Sequence, residues 1–126
     1  MIIEYYEASK HAAMVRGWCS DWKMPFFAEG WLPKTGFIVP NLAAIWLYET
    51  DSGLGFVENV ISNRYADPEE RAKALDLLAD RIEKAAIDLN MKFLLGASRN
   101  SKIINRSLKH GWRIAGENIT QIVREL

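Results

Sequence analysis

The chain has 126 residues, of which 49% are hydrophobic, so it is long enough for one globular domain over residues 1–126 and too short for two. Its sixteen basic residues balance sixteen acidic ones, which argues against recruitment to nucleic acid or to a membrane surface by overall charge. The single cysteine, Cys19, excludes an internal disulfide, and no apolar run approaches the roughly 20 residues of a membrane-spanning helix. We therefore expect a cytoplasmic domain.

The first third of the chain predicts a strand, a helix and a long loop. Met1–Ala8 is rich in Ile and Tyr, as strands are, and Ser9 is expected to cap a helix that ends near Asp21. From there to Pro40, chain-breaking residues alternate with large aromatics, which indicates an irregular loop held by its own rings. The strands of an antiparallel meander are expected at Phe37–Val39, Leu42–Glu49 and Leu54–Ser62.

The centre of the chain predicts a long amphipathic helix. Apolar residues recur at helical spacing from Pro68 to Asn90, and Asp67 followed by a proline suits a helix start. A strand at Lys92–Ala97 would complete a strand-helix-strand unit over residues 54–97, which normally pairs its strands in parallel.

The last part of the chain predicts a shorter helix and a hairpin. The helix is expected to run from Ser101 to His110 and to stop at Gly111. The segment Trp112–Leu126 is expected to form two strands that turn near Gly116.

This order of elements resembles the GNAT N-acetyltransferase superfamily over nearly the whole chain. Residues 67–74 look like the family's segment in which a basic residue and spaced glycines open the long helix, and Asn100 stands eleven residues before Gly111-Trp112, similar to the family's Asn before a helix that ends in Gly-Phe. The combination of Leu32-Pro33, Gly36, Thr50-Asp51-Ser52 and Glu58-Asn59 looks like small GNAT-like proteins of tailed bacteriophages. The resemblance implies a mixed α/β (α+β) fold, with a mostly antiparallel central sheet flanked by helices.

The resemblance also implies a site for acetyl-CoA. A helix N-terminus binds phosphate because its free N–H groups and the helix dipole point the same way. The pantetheine arm is expected along the central strand, where that strand splays from its neighbour. The residues implied for the cosubstrate are Val60, Ile61, Ser62, Arg71, Ala72, Lys73, Ala74 and Asn100.

The cosubstrate end departs from the family's pattern. Ala72 and Ala74 replace glycines, and Asp76 stands where a third glycine is usual. A carboxylate facing a pyrophosphate would repel it. Ser107 occupies the place of the tyrosine that protonates the departing thiolate, and a serine hydroxyl is a poorer acid than a phenol. The phosphate loop is therefore interpreted as degenerate.

Few side chains are candidates for the chemistry. The resemblance implies Glu58, on the central strand, as the general base, because family members often carry a carboxylate there, although strand alternation alone could place it on a solvated face. Tyr48 and Glu49 could line the site or serve the structure. Cys19 lies among tryptophans and is interpreted as packed, and neither histidine has ligands at metal-binding spacing. We expect no metal.

The sequence supports an N-acetyltransferase that moves the acetyl group directly to a primary amine of a small molecule or protein, without a covalent enzyme intermediate. An alternative is a catalytically inactive GNAT-like phage protein that acts by interaction or in the virion. A nucleic-acid module is weakly supported, since the basic residues are dispersed.

A homodimer is compatible with the five tryptophans. The aromatics that could roof an acceptor pocket are Trp22, Phe26, Phe27 and Trp31.

Overall fold

The computed structural model describes residues 1–27 and 30–126. The chain divides into two compact units, Met1–Gly96 and Ala97–Leu126. Within the described ranges, no helix combines the length and the apolar character needed to cross a membrane. The elements are β1 (Glu4–Tyr5), α1 (Ala8–Asp21), β2 (Thr35–Val39), β3 (Ala43–Tyr48), β4 (Leu54–Ser62), α2 (Pro68–Asp88), β5 (Phe93–Leu95) and α3 (Ser101–Lys109).

The first unit is built on one sheet whose strands lie in the order β1-β2-β3-β4-β5. The first three pairings are antiparallel and β4 pairs with β5 in parallel. The parallel pair is joined through α2, which confirms the predicted strand-helix-strand unit. The predicted fold class is likewise confirmed.

Helices cover both faces of this sheet, which explains why β2 and β3 read as nearly continuous apolar runs. Alternate strand residues point to opposite faces, so each helix buries its own set. Each fully buried large side chain contributes ~1.5–3 kcal/mol. The α2 face buries Phe37, Val39, Ala43, Ile45 and Leu47 against Ala74, Leu78 and Ile82. The α1 face buries Ile38, Ala44, Trp46 and Ile61 against Val15, Trp18 and Cys19.

The start of α1 differs from the prediction. The strand at the N-terminus covers only Glu4–Tyr5, and the helix begins at Ala8, so Ser9 is not the cap. The N-cap is Glu7, whose backbone N–H donates to Nδ1 of His11 (3.0 Å). Glu7 makes no side-chain cap hydrogen bond. The buried imidazole satisfies the backbone N–H of the N-cap residue itself, whereas a capping serine would accept from an N–H of the first turn.

The start of α2 agrees with the prediction. Asp67 caps the helix through a hydrogen bond from the Glu70 N–H (3.0 Å), and Pro68 is the first helical residue. The helix ends at Asp88, slightly before the predicted Asn90, which adopts the left-handed conformation (φ 61°) common after helices.

The predicted loop and β5 are both shorter than expected. The irregular segment was expected over Asp21–Pro40, but β2 begins within it at Thr35. Two residues of that segment, Ala28 and Glu29, lie outside the described residues. The strand expected at Lys92–Ala97 covers only Phe93–Leu95.

The second unit contains α3, capped by the Asn100 side chain, followed by Gly111 at a φ of 92°. The hairpin predicted for Trp112–Leu126 is wrong, because no described residue of this segment belongs to a strand. A lone hairpin needs an apolar face packed on something else to be stable. Here Ile114, Ile119 and Ile122 are 56%, 65% and 93% exposed, so that face is not buried.

Candidate functional site

The central strand β4 carries a bulge at Asn59. Ala44 pairs with Ile61 and Trp46 pairs with Glu58, so the one residue between them on β3 faces two residues on β4. Asn59 has a φ of 61°, a left-handed conformation that asparagine tolerates better than most residues. A bulge bends its strand and re-aims the side chains beside it.

The bulge directs two consecutive side chains to the α1 face of the sheet. Glu58 is the register partner of Trp46, whose ring is buried on that face. Asn59 would point to the opposite face in a regular strand, but its amide donates to the hydroxyl of Tyr48 (2.7 Å), which packs on the α1 face. Glu58, Asn59 and Tyr48 therefore form one polar group, which we call the β4 site.

Tyr48 is held from both sides. Its hydroxyl accepts from Asn59 and donates to the backbone carbonyl of Trp31 (2.9 Å). Burial raises the pKa of Tyr48, and the nearby carboxylate of Glu58 raises it further against the opposing effect of the Asn59 hydrogen bond. The phenol is therefore neutral at physiological pH and can act as a hydrogen-bond donor.

Glu58 is half-buried on β4, and this burial raises the pKa of its carboxyl group above the ordinary value. A raised pKa makes the ionised form a stronger base. The predicted alternative, a carboxylate on a fully solvated strand face, does not describe this side chain. Glu49, in contrast, is exposed just after β3.

The residues implied for pantetheine lie at the free end of β4. The parallel ladder with β5 ends at the Phe56–Leu95 pair, so β4 continues beyond the end of its neighbour. Val60 packs on the α2 face and Ile61 is buried on the α1 face. The carbonyl of Ser62 accepts the indole N–H of Trp22 (2.7 Å). A predicted roof residue is thus bonded to the end of β4.

Two backbone donors at the start of α2 are already bonded to the protein itself. The Asp67 side chain takes the Glu70 N–H, and the Asp67 carbonyl takes the Arg71 N–H (2.9 Å). The Arg71 guanidinium donates to the carbonyls of Arg64 (2.9 Å) and Asn63 (3.4 Å), so it braces the β4–α2 loop. A pyrophosphate would have to displace these contacts.

The predicted phosphate segment is helical. Because α2 begins at Pro68, the N–H groups of Ala72, Lys73 and Ala74 fall within the helix, where each bonds to a carbonyl four residues earlier. The Ala74 side chain is fully buried, and the Lys73 ammonium lies 3.6 Å from a carboxylate oxygen of Glu70. The start of α2 therefore does not fit the backbone phosphate grip implied by the resemblance.

The other two predicted site residues lie in the second unit, Ala97–Leu126. The Asn100 side chain accepts from the N–H groups of Lys102 (2.9 Å) and Ile103 (3.4 Å) as the cap of α3. The Ser107 hydroxyl donates to the carbonyl of Ile103 (2.9 Å). Both side chains therefore have partners within their own helix.

The loop between α1 and β2, which we call the aromatic loop, lines an open cavity on the α1 side of the first unit. Its volume is about 640 Å³, and Phe26 and Phe27 line it as predicted. The Phe27 ring packs edge-on against Trp46, with centroids 5.7 Å apart. The remaining described lining residues are Tyr6, Ala8, Ala12, Arg16, Gly30, Leu32, Pro33 and Lys34.

Cys19 is packed in the core, as the sequence-based interpretation expects. Cys19 is 1% exposed, and burial raises the pKa of its thiol, which disfavours the nucleophilic thiolate. Among the described residues, no group of His, Cys, Asp and Glu side chains could hold a metal ion.

The role of Asn59, which forms the bulge and donates to the Tyr48 hydroxyl, was not predicted from the sequence. The available signal was an asparagine within a β-branched and aromatic strand, a residue that strands disfavour. Its partner Tyr48 was considered only as a lining residue. Recognising the pair required the register between β3 and β4.

No protein-family model matches the chain, and no curated protein matches it. Solved structures do. A probable acetyltransferase is 12% identical, with 100% of both chains covered and a TM-score of 0.73. The Mycobacterium tuberculosis protein Rv2747, solved in complex with CoA, is 14% identical over 95% of this chain and 76% of that one (TM-score 0.66). A GNAT family acetyltransferase from Streptococcus pneumoniae TIGR4 is 12% identical over 98% of each chain (TM-score 0.65). At these identities the likeness shows the fold, which is that of GNAT acetyltransferases.

Proposed function

We infer, on the premise that the chain has the fold of GNAT acetyltransferases, that it transfers an acetyl group from acetyl-CoA to a primary amine in the cytoplasm. The observation that carries this proposal is the bulge at Asn59, which aims Glu58 to the α1 face beside the end of β4. A half-buried carboxylate at that point is placed to accept a proton from an incoming amine.

The proposed reaction is a direct attack within a ternary complex. Acetyl-CoA supplies an activated acetyl group as a thioester. Glu58 accepts the proton that the free amine loses as its nitrogen bonds to the carbonyl carbon, while the carbon–sulfur bond breaks and its electron pair stays with the sulfur. Tyr48 is neutral and donates its hydroxyl proton to the Trp31 carbonyl, so it supports the site by holding Asn59 and the loop in place beside Glu58. A thiol has a pKa of about 8.5, so the sulfur can leave as thiolate without a dedicated acid such as the predicted Ser107.

We propose that the donor is held mainly through its pantetheine arm. The end of β4 at Val60, Ile61 and Ser62 continues past β5 and offers backbone groups to the pantetheine amides. The start of α2 is the weaker half of the site, because Arg71 and the Glu70 N–H already have partners. A degenerate phosphate loop is therefore part of the proposal.

The test is the rate of CoA release from acetyl-CoA with a panel of primary amines, measured for the full chain and for Glu58→Gln. Loss of the base should lower the rate about 10²–10⁴-fold. Glu49→Gln is the matched control, because it removes an exposed carboxylate from the neighbouring strand and should leave the rate unchanged. Equal rates for Glu58→Gln and the native chain would exclude Glu58 as the base.

A second function is favoured by one specific observation, the occupied donors at the start of α2. A protein of a tailed bacteriophage that keeps the fold but acts only by binding a partner has no need of a phosphate grip. Mass spectrometry of purified particles tests whether the chain is a virion component. Turnover of acetyl-CoA by the native chain would contradict the binding-only role.

A further inference from the structure

The cavity of the aromatic loop has a charge pattern that neither the fold nor the proposed reaction requires. Its described lining residues include two cations, Arg16 and Lys34, and no carboxylate. No ion pair joins either cation to a described carboxylate. Its volume of about 640 Å³ lies within the range of small-molecule sites.

The Arg16 guanidinium is held in place for an anion. It lies 4.6 Å from the centroid of the Phe26 ring, a cation–π contact that fixes the side chain without using its N–H donors. Arginine presents those donors as a planar fork that matches a carboxylate. An ordered guanidinium with free donors, open to solvent beside an aromatic wall, is suited to bind an anionic group.

The rest of the cavity is apolar. Tyr6 and Phe27 both pack edge-on against Trp46, with centroids 5.0 Å and 5.7 Å from its ring. Leu32 and Pro33 add aliphatic surface. This wall is suited to a ring or a branched alkyl group.

The cavity and the β4 site belong to the same face of the sheet. Trp46 packs against the cavity residues Tyr6 and Phe27, and it is the register partner of Glu58. Glu58 is not among the described lining residues, so a ligand bound at Arg16 and Lys34 would meet its carboxylate only by extending past Trp46 toward β4. A molecule with both charges that spans this distance would be oriented by them.

We propose that this cavity binds a small zwitterion with an aromatic or branched apolar body, whose carboxylate contacts Arg16 and Lys34 and whose primary amine faces Glu58. The carboxylate site stands on the cavity alone. The assignment of the zwitterion as the acetyl acceptor rests on the proposed function.

The binding arm uses two probes of opposite charge on one ring system, indole-3-acetate and tryptamine, titrated calorimetrically into the full chain. Indole-3-acetate should bind at least about tenfold more tightly, since a charge-assisted contact to arginine is available only to the anion. Arg16→Gln and Lys34→Gln should each weaken its binding by about the same factor. Lys84→Gln, which removes an exposed lysine of α2, is the control and should change nothing.

Tighter binding of tryptamine, no saturable binding of indole-3-acetate, or binding insensitive to both cavity variants would overturn the proposal. Thermal denaturation of each variant shows whether weaker binding comes from the lost contact or from unfolding of the protein.

The turnover arm compares L-tryptophan with tryptamine as acetyl acceptors. The native chain should favour L-tryptophan in kcat/KM, and Arg16→Gln should lower kcat/KM for L-tryptophan by a larger factor than kcat/KM for tryptamine, so that the preference shrinks. A preference for tryptamine would contradict the acceptor assignment. If indole-3-acetate binds but no amine is acetylated, the carboxylate site is supported and the proposed function is contradicted. If amines are acetylated but indole-3-acetate does not bind, the proposed function is supported and the carboxylate site is contradicted.

Discussion

At the scale of single residues, the account depends on Glu58 and Asn59. Partial burial withdraws water from the Glu58 carboxylate, which raises its pKa and makes it a stronger base. Asn59 supplies the backbone conformation that aims Glu58 and the amide that fixes Tyr48. One residue therefore has two separable roles.

The first prediction concerns the pH dependence of transfer. Glu58 accepts a proton only when ionised, so kcat/KM should fall on acidification with a midpoint above the ordinary value of 4.5. The measurement is a pH profile of CoA release at saturating acetyl-CoA and at amine concentrations below KM, where the rate reports kcat/KM. An acid limb centred at or below 4.5 would show that the titrating group is not a partly buried carboxyl.

The second prediction concerns stability. A folded-state pKa above the unfolded one means that the ionised carboxylate destabilises the fold at neutral pH. Glu58→Gln should therefore melt at a higher temperature than the native chain near pH 7, and the difference should vanish below pH 4.5, where both states of Glu58 are protonated. Thermal denaturation across this range is the measurement. A lower melting temperature at neutral pH would count against the assignment.

The third prediction separates the two roles of Asn59. Asn59→Gly keeps the left-handed backbone and loses only the hydrogen bond to Tyr48, at a cost of about 0.5–1.5 kcal/mol. Asn59→Ala loses both and should cost about 1–2 kcal/mol more. Urea denaturation of the three chains measures the difference. Equal stability of the Gly and Ala variants would contradict a left-handed residue at this bulge.

At the scale of elements, the α1 face depends on a close approach between β2 and β3. Trp46 is fully buried and its ring lies against the backbone of Gly36, where a Cβ atom would stand 2.5 Å from the indole nitrogen. The rings of Tyr6 and Phe27 both pack edge-on against the same indole ring. A change at Gly36 would therefore reach both the core and the cavity.

The fourth prediction uses a matched pair of glycines. Gly36→Ala should destabilise the fold by about 1–3 kcal/mol, because the added methyl group meets a ring that cannot move. Gly17→Ala, within α1 and with open space around it, should stabilise by about 0.5–1 kcal/mol. Denaturant unfolding of both variants gives the comparison. A neutral Gly36→Ala would contradict the packing of Trp46.

The elements that the sequence predicts well are those with local signals. The helix from Pro68 follows from the Asp67 cap and the helical spacing, and β4 has its predicted bounds. The C-terminal hairpin does not form, because alternation alone cannot supply a surface on which its isoleucines would be buried. The start of α1 was not predicted, because its N-cap residue Glu7 makes no side-chain cap hydrogen bond and so gives no capping signal.

At the scale of the whole molecule, the fold and the proposed base follow from the order of elements, whereas the geometry of the site does not. The bulge depends on pairing between β3 and β4, which no local pattern encodes. The occupied donors at the start of α2 depend on where the helix begins and on which carbonyls Arg71 reaches. The sequence shows the replaced glycines; only the structure shows that their segment is helical.

The central claim is that the end of β4 receives a thioester donor, and the most direct test is a calorimetric titration of acetyl-CoA and CoA into the full chain. This measurement does not depend on knowing the acceptor. The account predicts saturable binding in the micromolar range for acetyl-CoA, with most of the affinity retained by acetyl-pantetheine, because the phosphate end of the site is already occupied. Absence of heat for acetyl-CoA and CoA at high micromolar concentration would contradict it.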